Sequence, residues 1–565
     1  MTDATPWQKH YPQGARWDAS LPVGPVQAIL ERAAERYGDK PALEFMGRRI
    51  GYRELDDLAN RAAAGLQRLG VGPGAHVGLY LPNTPHYVIA FFAVLKAGGV
   101  VVNYSPLDAE RMLERKIEDS ETDILITLDL AALYPQMERL LSRTRLKTLV
   151  VGEIGEMTPA PDLTRAHMAQ AQQLSPVAYG KRILAWRDLV SGEAAPVAHP
   201  IGDPKVALAV LQYTGGTTGS PKGAMLTHAN LTAANAQYRQ TLSAGGRALR
   251  EGEERTLAVL PPFHIYALSV NMLLGLSIGA ELVLHARFDA AAVVKDIAAK
   301  KISVFCGVPT MFVAVLSLPD IRREQLASLK VCSSGGAPLP IEVQQRFQAL
   351  SGVRLCEGWG MTETSPTGTF TPADGPVKPG SCGVPLPGVD FRFADISQPD
   401  EYAAPGEKGE ILIRGPNVMR GYWKNREATR ESMTPDGFFH TGDVGYMDAD
   451  GYLFIVDRTK DMLLCGGFNV YPRLIEEAVY QHPAVAEVSV IGVPDPYLGQ
   501  HPKAFVKIKP GAPAPTLEDM KLFLKDRLGK HEMIGGLEVL ADLPKTAVGK
   551  ISKKELYDRE AAHEG

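Results

Sequence analysis

A glycine- and hydroxyl-rich segment at residues 213–223 constrains this chain more than any other part of it. Ten of its eleven residues are glycine, threonine, serine, proline or lysine, and the apolar run at 206–211 predicts a buried strand leading into it. Glycine lets a backbone approach an anion closely and turn its N–H groups inward, while hydroxyl groups and a lysine add donors and positive charge. The segment therefore predicts a phosphate-binding loop, although its spacing is not that of the Walker P-loop. The candidate phosphate-binding residues are Thr214, Gly215, Gly216, Thr217, Thr218, Gly219, Ser220 and Lys222.

Size and composition indicate a soluble protein of more than one domain. A chain of 565 residues exceeds one ordinary core, and its 45% hydrophobic and 22% charged content is typical of globular proteins. The net charge of -4 gives no general attraction for nucleic acid, so no nucleic-acid partner is expected. Residues 1–17 lack a signal-peptide pattern, and the sequence contains no uncharged apolar stretch long enough to cross a bilayer. The five cysteines are scattered without a C-x-x-C pair, which favours reduced thiols in a cytoplasmic protein over disulfides or a zinc site.

Helical and strand patterns alternate along the first part of the chain. Apolar residues at helical spacing between 55 and 69 predict a helix that stops at Gly70, and an apolar helix is predicted for 83–96. Strands at 100–102 and 124–128 flank a polar helix at 108–120. Such alternation is typical of a mainly parallel sheet packed between helices.

The pattern changes near residue 409. Strands with a turn between them are predicted from there to 456, and a small unit of mixed helices and strands follows residues 457–460. We therefore expect two domains, 1–457 and 458–565, with a boundary at the Asp-Arg-Thr-Lys segment that ends at Lys460.

Six short segments occur in a fixed order along the chain. They are residues 213–223, Ser-Gly-Gly-Ala-Pro at 334–338, Gly-Trp-Gly-Met-Thr-Glu at 358–363, Thr-Gly-Asp at 441–443, Asp-Arg-Thr-Lys at 457–460 and Pro-Lys-Thr-Ala-Val-Gly-Lys at 544–550. Together they resemble the adenylate-forming superfamily of acyl-CoA synthetases, peptide-synthetase adenylation domains and beetle luciferases. The Cys-Gly-Gly-Phe-Asn-Val-Tyr-Pro segment at 465–472 looks most like that of bacterial medium- or long-chain fatty acyl-CoA synthetases.

The resemblance implies an α/β fold and a two-step reaction. The large N-terminal domain would contain mainly parallel sheets flanked by helices and a small barrel-like subdomain, followed by a small mobile α+β domain. A carboxylic acid would attack the α-phosphate of Mg-ATP, and the thiol of CoA would then capture the acyl-adenylate and release AMP. Mg²⁺, ATP and CoA are therefore the expected cofactor and co-substrates.

The resemblance also assigns roles to the matching residues. Lys550 would be the catalytic lysine that bridges the carboxylate and the α-phosphate, Glu363 would bind Mg²⁺, and Thr362 would contact the α-phosphate. His264 would lie beside the carboxylate as a gate or an orienting donor. The expected nucleotide-binding residues are Gly335, Gly336 and Ala337 at the edge of adenine, Trp359 and Gly360 at its face, and Asp443 and Arg458 at the ribose. Lys460 would be the hinge of the small domain, and Gly466, Gly467 and Phe468 would line the pantetheine tunnel.

The identity of the acid stays open in the sequence. The segment 261–275 contains no acidic residue, which disfavours an amino-acid substrate because its buried amine would be unpaired. Val270, Met272, Leu273 and Leu274 would suit a hydrocarbon channel, but dicarboxylic and aryl acids remain alternatives. The residues at 530–536 lack the Tyr-Lys-x-Pro pattern common in the family, which leaves the local fold and part of the CoA surface open.

Other functions and partners also stay open. A luciferase-like oxidoreductase, a nonenzymatic nucleotide-binding protein and acyl transfer to a carrier protein are alternatives, although no carrier domain follows residue 556 and free CoA is the expected acceptor. Peripheral contact with the inner face of the membrane, a homodimer and a lysine acetyltransferase acting on Lys550 are further hypotheses.

Overall fold

The structure is a computed structural model that describes residues 5–214, 221–242, 249–372, 375–399, 401–466, 468–546 and 549–563. The predicted phosphate-loop residues Gly215, Gly216, Thr217, Thr218, Gly219 and Ser220, and the predicted tunnel residue Gly467, lie outside these ranges. The α-helices are Ala28–Tyr37, Tyr52–Arg68, Pro85–Lys96, Glu110–Asp119, Tyr134–Arg143, Pro161–Gln170, Trp186–Val190, His228–Leu242, Leu274–Ser277, Ala290–Lys300, Pro309–Leu316, Ile341–Ser351, Arg426–Glu431, Pro472–Tyr480, Leu517–Leu524 and Lys553–His563. Short 3₁₀-helices cover Pro6–His10, Ile154–Met157, Arg323–Leu326 and Thr362–Thr364, and a π-helical stretch covers Ala267–Leu273.

Two mainly parallel sheets form the large domain. The strands of the first sheet are, across the sheet, Leu355–Glu357, Val331–Ser334, Val304–Gly307, Arg255–Ala258, Glu281–Leu284, Pro41–Phe45 and Arg48–Gly51. Those of the second sheet are Ile183–Ala185, Thr148–Gly152, Ile124–Leu128, His76–Leu79, Val100–Asn103, Leu208–Thr214 and Lys222–Thr227. In each sheet the last pair is antiparallel and the other pairs are parallel.

Two helices, Tyr52–Arg68 and Pro85–Lys96, lie between the two sheets. Their buried side chains share one continuous cluster with residues of both sheets. Every residue from 85 to 95 is buried, which explains why that helix is apolar on all sides. Separate clusters cover the outer faces of the sheets, where further helices pack. The large domain therefore has alternating layers of helices and sheets.

Two further sheets follow along the chain. Strands Asp390–Ala394, Gly409–Arg414, Phe439–Met447 and Leu453–Arg458 form an antiparallel sheet, and a two-strand pair joins Thr369–Phe370 to Val384–Pro385. The C-terminal sheet contains Phe468–Val470, Leu463–Cys465, Gly499–Ile508 and Val485–Asp495, with Gly536–Val539 pairing in parallel to Gly499–Ile508. A separate buried cluster joins this sheet to helices Pro472–Tyr480 and Leu517–Leu524.

The structure confirms the predicted fold class and adds elements that the sequence pattern missed. Parallel sheets flanked by helices and an antiparallel C-terminal sheet are present as expected. Residues 152–204, to which the sequence analysis assigned no helix or strand, supply the edge strand Ile183–Ala185 and two α-helices. Strand Lys222–Thr227 was also missed, because its pairing with Leu208–Thr214, and not its own composition, makes it a strand. Among the described helices, none combines the length and apolarity that a membrane span requires.

Candidate active site

One large cavity lies where the parallel sheets, the antiparallel sheet and the C-terminal domain meet. Its volume is about 2320 Å³. Ligand pockets for small molecules typically measure about 300–1,000 Å³, so this cavity can hold more than one substrate. Most of the described site residues predicted from the sequence line it: Thr214, Lys222, His264, Gly335, Gly336, Ala337, Trp359, Gly360, Thr362, Glu363, Asp443, Arg458, Lys460 and Lys550.

The predicted phosphate-binding segment connects two antiparallel strands at the edge of the second sheet. Thr214 ends the strand Leu208–Thr214 and pairs with Lys222, the first residue of Lys222–Thr227. The Lys222 Nζ lies 5.1 Å from the centroid of the Tyr422 ring. The Tyr422 hydroxyl donates to Glu363 Oε1 at 2.9 Å, so the lysine and the candidate metal ligand contact the same tyrosine. Sequence reasoning did not identify Tyr422, and nothing in its local pattern marked it.

Glu363 belongs to the 3₁₀-helix Thr362–Thr364, and this residue is buried. Burial raises its pKa, while its own backbone and the Tyr422 hydroxyl oppose that effect. A buried carboxylate beside a phosphate-binding segment suits a hard cation, because Mg²⁺ prefers oxygen ligands and keeps several positions for water and phosphate. Within the ranges that the structure describes, no group of three or more His, Cys, Asp or Glu side chains could hold a metal. Glu363 fits Mg²⁺ only as a single protein ligand that phosphate oxygens and water would complement.

Asp443 lies on the strand Phe439–Met447 and bonds two neighbours. The Trp359 indole Nε1 donates to its Oδ2 at 2.7 Å, and Arg458 Nε lies 3.0 Å from its Oδ1. The arginine is directly opposite Asp443 on the next strand. These contacts orient both carboxylate oxygens. Each oxygen can still accept a further hydrogen bond, so the pair could bind the two hydroxyl groups of a diol. The bond from Trp359 is a contact that sequence reasoning missed, since it expected only ring stacking from this residue.

The Gly335–Ala337 segment follows the strand Val331–Ser334 and contacts the small domain. Gly336 has a φ of +78°, and a Cβ atom there would lie 3.1 Å from Lys550 Cε and 3.4 Å from Lys550 Nζ. A side chain at 336 would therefore crowd the lysine. At Gly360 a Cβ atom would lie 1.9 Å from the carbonyl oxygen of Pro366, which excludes any side chain.

Lys550 reaches the cavity from the C-terminal domain. The Thr310 hydroxyl donates to the carbonyl oxygen of Gly549 at 3.0 Å, which fixes the preceding backbone against the large domain. Burial, followed by repulsion from Arg458, lowers the pKa of Lys550 to about 8, with Asp443 opposing the shift. Burial and Arg458 thus disfavour the charged ammonium form, and an anionic ligand would favour it.

His264 lies near Lys550, in the loop before the π-helical stretch. Burial, with a smaller contribution from Lys550, lowers its pKa to about 3, so the imidazole is neutral near pH 7. Its Nδ1 accepts a bond from the backbone N–H of Tyr266 at 3.3 Å. The proton of the neutral ring then lies on Nε2, which suits a donor to a carboxylate.

Apolar residues of helix His228–Leu242 and of the stretch 267–278 line part of the same cavity, which we call its apolar branch. Val270, Leu274 and Ile278 line it at four-residue spacing, and Tyr238 and Leu242 line it from the facing helix. Of the predicted channel residues, Val270 and Leu274 face the cavity, whereas Met272 and Leu273 are buried in the core. Sequence reasoning missed the facing helix because most of its residues are small or polar.

The predicted CoA-binding residues Gly466 and Phe468 do not line the cavity. Phe468 is 60% exposed and contacts the His531 ring at a tilt, with 5.0 Å between ring centroids. The segment 530–536, which lacks the proline common in the family, is held by a hydrogen bond from the Gly535 N–H to the Pro502 carbonyl oxygen at 2.8 Å. In this arrangement Gly466 and Phe468 lie outside the cavity that the predicted nucleotide-binding residues line.

Sequence comparison shows similarity to known proteins in both domains. The family model of AMP-binding enzymes matches residues 30–423, and the model of their C-terminal domain matches 474–550. The long-chain-fatty-acid–CoA ligase of Bacillus subtilis (strain 168) is 38% identical over 99% of this chain and 99% of its own.

Solved structures match across both domains. A crystal structure of an anthranilate CoA ligase with anthranoyl-AMP is 27% identical, has a TM-score of 0.84 and covers 97% of this chain and 99% of its own. The crystal structure of ATP-bound MatB from Rhodopseudomonas palustris is 28% identical to this chain and has a TM-score of 0.82. The match covers 94% of this chain and 98% of MatB. On these matches, this chain belongs to the family of AMP-binding enzymes.

Proposed function

We propose that this protein activates a medium- or long-chain fatty acid with Mg-ATP and transfers the acyl group to CoA, with AMP and pyrophosphate as the other products. The observation that carries the proposal is the position of Lys550, which the small domain places in the same cavity as Glu363, Asp443 and Arg458. The relative from Bacillus subtilis and the other curated relatives at 35–38% identity are named long-chain-fatty-acid–CoA ligases, which supports a fatty acid over the dicarboxylic, aryl and luciferase-like alternatives.

Each side chain has a distinct task in the first half-reaction. Lys550 offsets the repulsion between the fatty-acid carboxylate and the α-phosphate, and it donates to the oxygen on which charge develops. Asp443, oriented by Trp359 and Arg458, accepts from the ribose hydroxyls. Lys222 and Thr214 hold the terminal phosphates, and Thr362 contacts the α-phosphate. Bound Mg²⁺, held by Glu363, would supply further neutralisation of phosphate charge.

The apolar branch of the cavity supports an acid substrate with an alkyl chain. An alkyl chain placed between Val270, Leu274 and Tyr238 would leave water, and each buried CH₂ group contributes about 0.8 kcal/mol to binding. His264 lies at the carboxylate end and orients it through Nε2–H. These contacts support a substrate with a long apolar tail.

The second half-reaction requires a different arrangement of the domains. Lys550 occupies the space near Gly336, and the hairpin with Gly466 and Phe468 lies outside the cavity. We propose that the small domain rotates about the turn at Lys460 and presents this hairpin, together with Gly467, to the CoA thiol. The boundary between residues 457 and 458 and the mobility of the small domain are parts of this proposal.

A panel assay tests the function. The enzyme is incubated with Mg-ATP and C6–C18 fatty acids, dicarboxylates or benzoates, and pyrophosphate exchange is measured without CoA and AMP release with CoA. We expect exchange and CoA-dependent AMP release with fatty acids, strongest where the tail fills the apolar branch. Exchange with benzoates or dicarboxylates but no fatty acid would contradict the proposed substrate class.

The pH dependence of adenylation should report on Lys550. Only the protonated amine neutralises the reacting anions, and the pKa of Lys550 in the free protein is about 8. The apparent kcat/KM for ATP should therefore fall as pH rises through about 8. At saturating Mg-ATP the phosphates favour the ammonium form, so the decline in kcat should move to higher pH. Pyrophosphate exchange between pH 6.5 and 10 measures both profiles, and a flat kcat/KM profile would contradict this role.

Several finer predictions from the sequence remain proposals. A cytoplasmic location, peripheral contact with the inner face of the membrane and a homodimer are among them. Acetylation of Lys550 by a lysine acetyltransferase would remove its charge and should block adenylation.

A further inference from the structure

A buried asparagine behind the cavity holds the loop that follows Glu363. Asn417 lies shortly after the strand Gly409–Arg414, is fully buried and does not line the cavity. Its side-chain Nδ2 donates to the carbonyl oxygen of Thr364 at 2.7 Å and to that of Thr367 at 2.8 Å. Both hydrogens of the amide nitrogen are therefore used to hold two points of one loop.

Two further groups of the same segment hold Glu363 itself. The backbone N–H of Met419 donates to the Glu363 carbonyl oxygen at 2.7 Å, and the Tyr422 hydroxyl donates to the carboxylate. Asn417 fixes the backbone immediately after this residue. The segment 417–422 thus sets both the backbone position and the side-chain direction of the candidate metal ligand. Partners that orient a metal ligand contribute to metal affinity although they do not touch the metal.

The residues on either side of Asn417 are anchored to the strand Lys222–Thr227. Asn230 Nδ2 donates to the carbonyl oxygens of Pro416 and Val418, at 2.9 and 2.8 Å. Asn230 Oδ1 in turn accepts from the backbone N–H at the end of that strand at 2.9 Å. The strand begins with the candidate phosphate-binding lysine. Hydrogen bonds through two side-chain amides therefore connect the strand of this lysine to the loop of the metal ligand.

We propose that Asn417 is a positioning residue that orients Glu363 toward the Mg²⁺ of bound Mg-ATP. The inference rests on the proposed function, in which Glu363 is the protein ligand of the metal. Asn417 touches neither the nucleotide nor the metal. It acts by holding Thr364 and Thr367, so that the carboxylate is already ordered before Mg-ATP arrives and less binding free energy is spent on ordering it.

Binding of ATP with and without metal tests this role. In Asn417→Ala the carbonyl oxygens of Thr364 and Thr367 lose their donor, and the loop after Glu363 is released. Isothermal titration calorimetry without a carboxylic acid compares Mg-ATP with ATP in excess EDTA. We expect the Kd of Mg-ATP to rise about tenfold or more, the usual effect of removing a partner of a metal ligand, and the Kd of metal-free ATP to rise less than about threefold.

Asn83→Ala is the matched control. Asn83 is also buried, and its Nδ2 likewise donates to two carbonyl oxygens, those of Ala258 and Leu260, both at 2.9 Å. Neither carbonyl belongs to the loop of Glu363. This truncation should also lower the melting temperature, because it leaves buried acceptors without a donor. The ratio of the two dissociation constants should nevertheless stay within about twofold of that of the unmodified protein, so a general loss of stability is distinguished from lost positioning.

A double variant shows whether Asn417 acts through Glu363. Glu363→Gln alone removes the metal ligand, so Asn417→Ala/Glu363→Gln should bind Mg-ATP within about twofold of Glu363→Gln. Asn417→Ser keeps one hydroxyl donor and should give a Kd for Mg-ATP between those of the unmodified protein and the alanine variant. The serine variant also carries the test if the alanine variant does not fold.

Three results would overturn the proposal. They are equal weakening of Mg-ATP and metal-free ATP in the Asn417 variants, additive losses in the double variant, and ATP binding in the unmodified protein that does not depend on Mg²⁺. If no acid supports pyrophosphate exchange in the unmodified enzyme, the proposed function fails, while the dissociation constants still decide whether Asn417 orients the metal ligand.

Discussion

Replacing Lys550 with alanine is expected to reduce acyl-adenylate formation by about 10²–10³-fold, the usual loss when one preorganised donor to a developing charge is removed. Lys550 is the group of the small domain that lies against Gly336, and its lowered pKa shows a buried ammonium without full compensation. An approaching carboxylate and the α-phosphate would supply that compensation in the transition state. Pyrophosphate exchange with a fatty acid and Mg-ATP measures the loss.

The second half-reaction is the internal control for this variant. CoA capture of supplied acyl-adenylate should remain close to that of the unmodified enzyme, because the proposed rotation moves Lys550 away from the reacting atoms before the thiol enters. Lys525→Ala, an exposed lysine of the same domain, should leave both half-reactions unchanged. An equal loss of both half-reactions in Lys550→Ala would show that the lysine supports folding or domain structure instead of adenylation.

Crosslinking the two domains in their present arrangement is expected to abolish acyl-CoA formation while adenylation continues. Glu342 and Lys509 lie on opposite sides of the domain contact, and neither belongs to the set of reaction residues. In Glu342→Cys/Lys509→Cys a short bifunctional thiol reagent would hold Lys550 at the cavity and keep the hairpin with Phe468 outside it. Burst formation of acyl-adenylate should persist, and CoA-dependent turnover should fall to background.

The single-cysteine variants treated with the same reagent are the controls for this experiment. They should retain turnover, because modification at one site leaves the domains free to rotate. A cleavable reagent adds a second check, since reduction of the linker should restore acyl-CoA synthesis. Normal turnover in the crosslinked enzyme would contradict the proposed rotation and would mean that one arrangement serves both half-reactions.

Local patterns predicted much of the fold because periodicity and glycine content act over short stretches of chain. The buried helix Pro85–Lys96 and the strand Ile124–Leu128 follow directly from their apolar residues. The strand Lys222–Thr227 and the edge strand Ile183–Ala185 were missed, because their pairing partners, and not their own composition, make them strands. Similarly, the channel contribution of helix His228–Leu242 depends on what it faces.

The sequence by itself determined the chemistry that this protein can offer: a glycine-rich segment for phosphate, a carboxylate for a hard cation and a lysine in a C-terminal motif. Tertiary structure decided which of these groups meet. It placed Lys550 beside Gly336 and bonded Trp359 to Asp443, although long stretches of chain separate the partners. Such contacts depend on domain packing and on the burial of charge, and neither can be derived from local periodicity because both arise only when distant segments exclude water together.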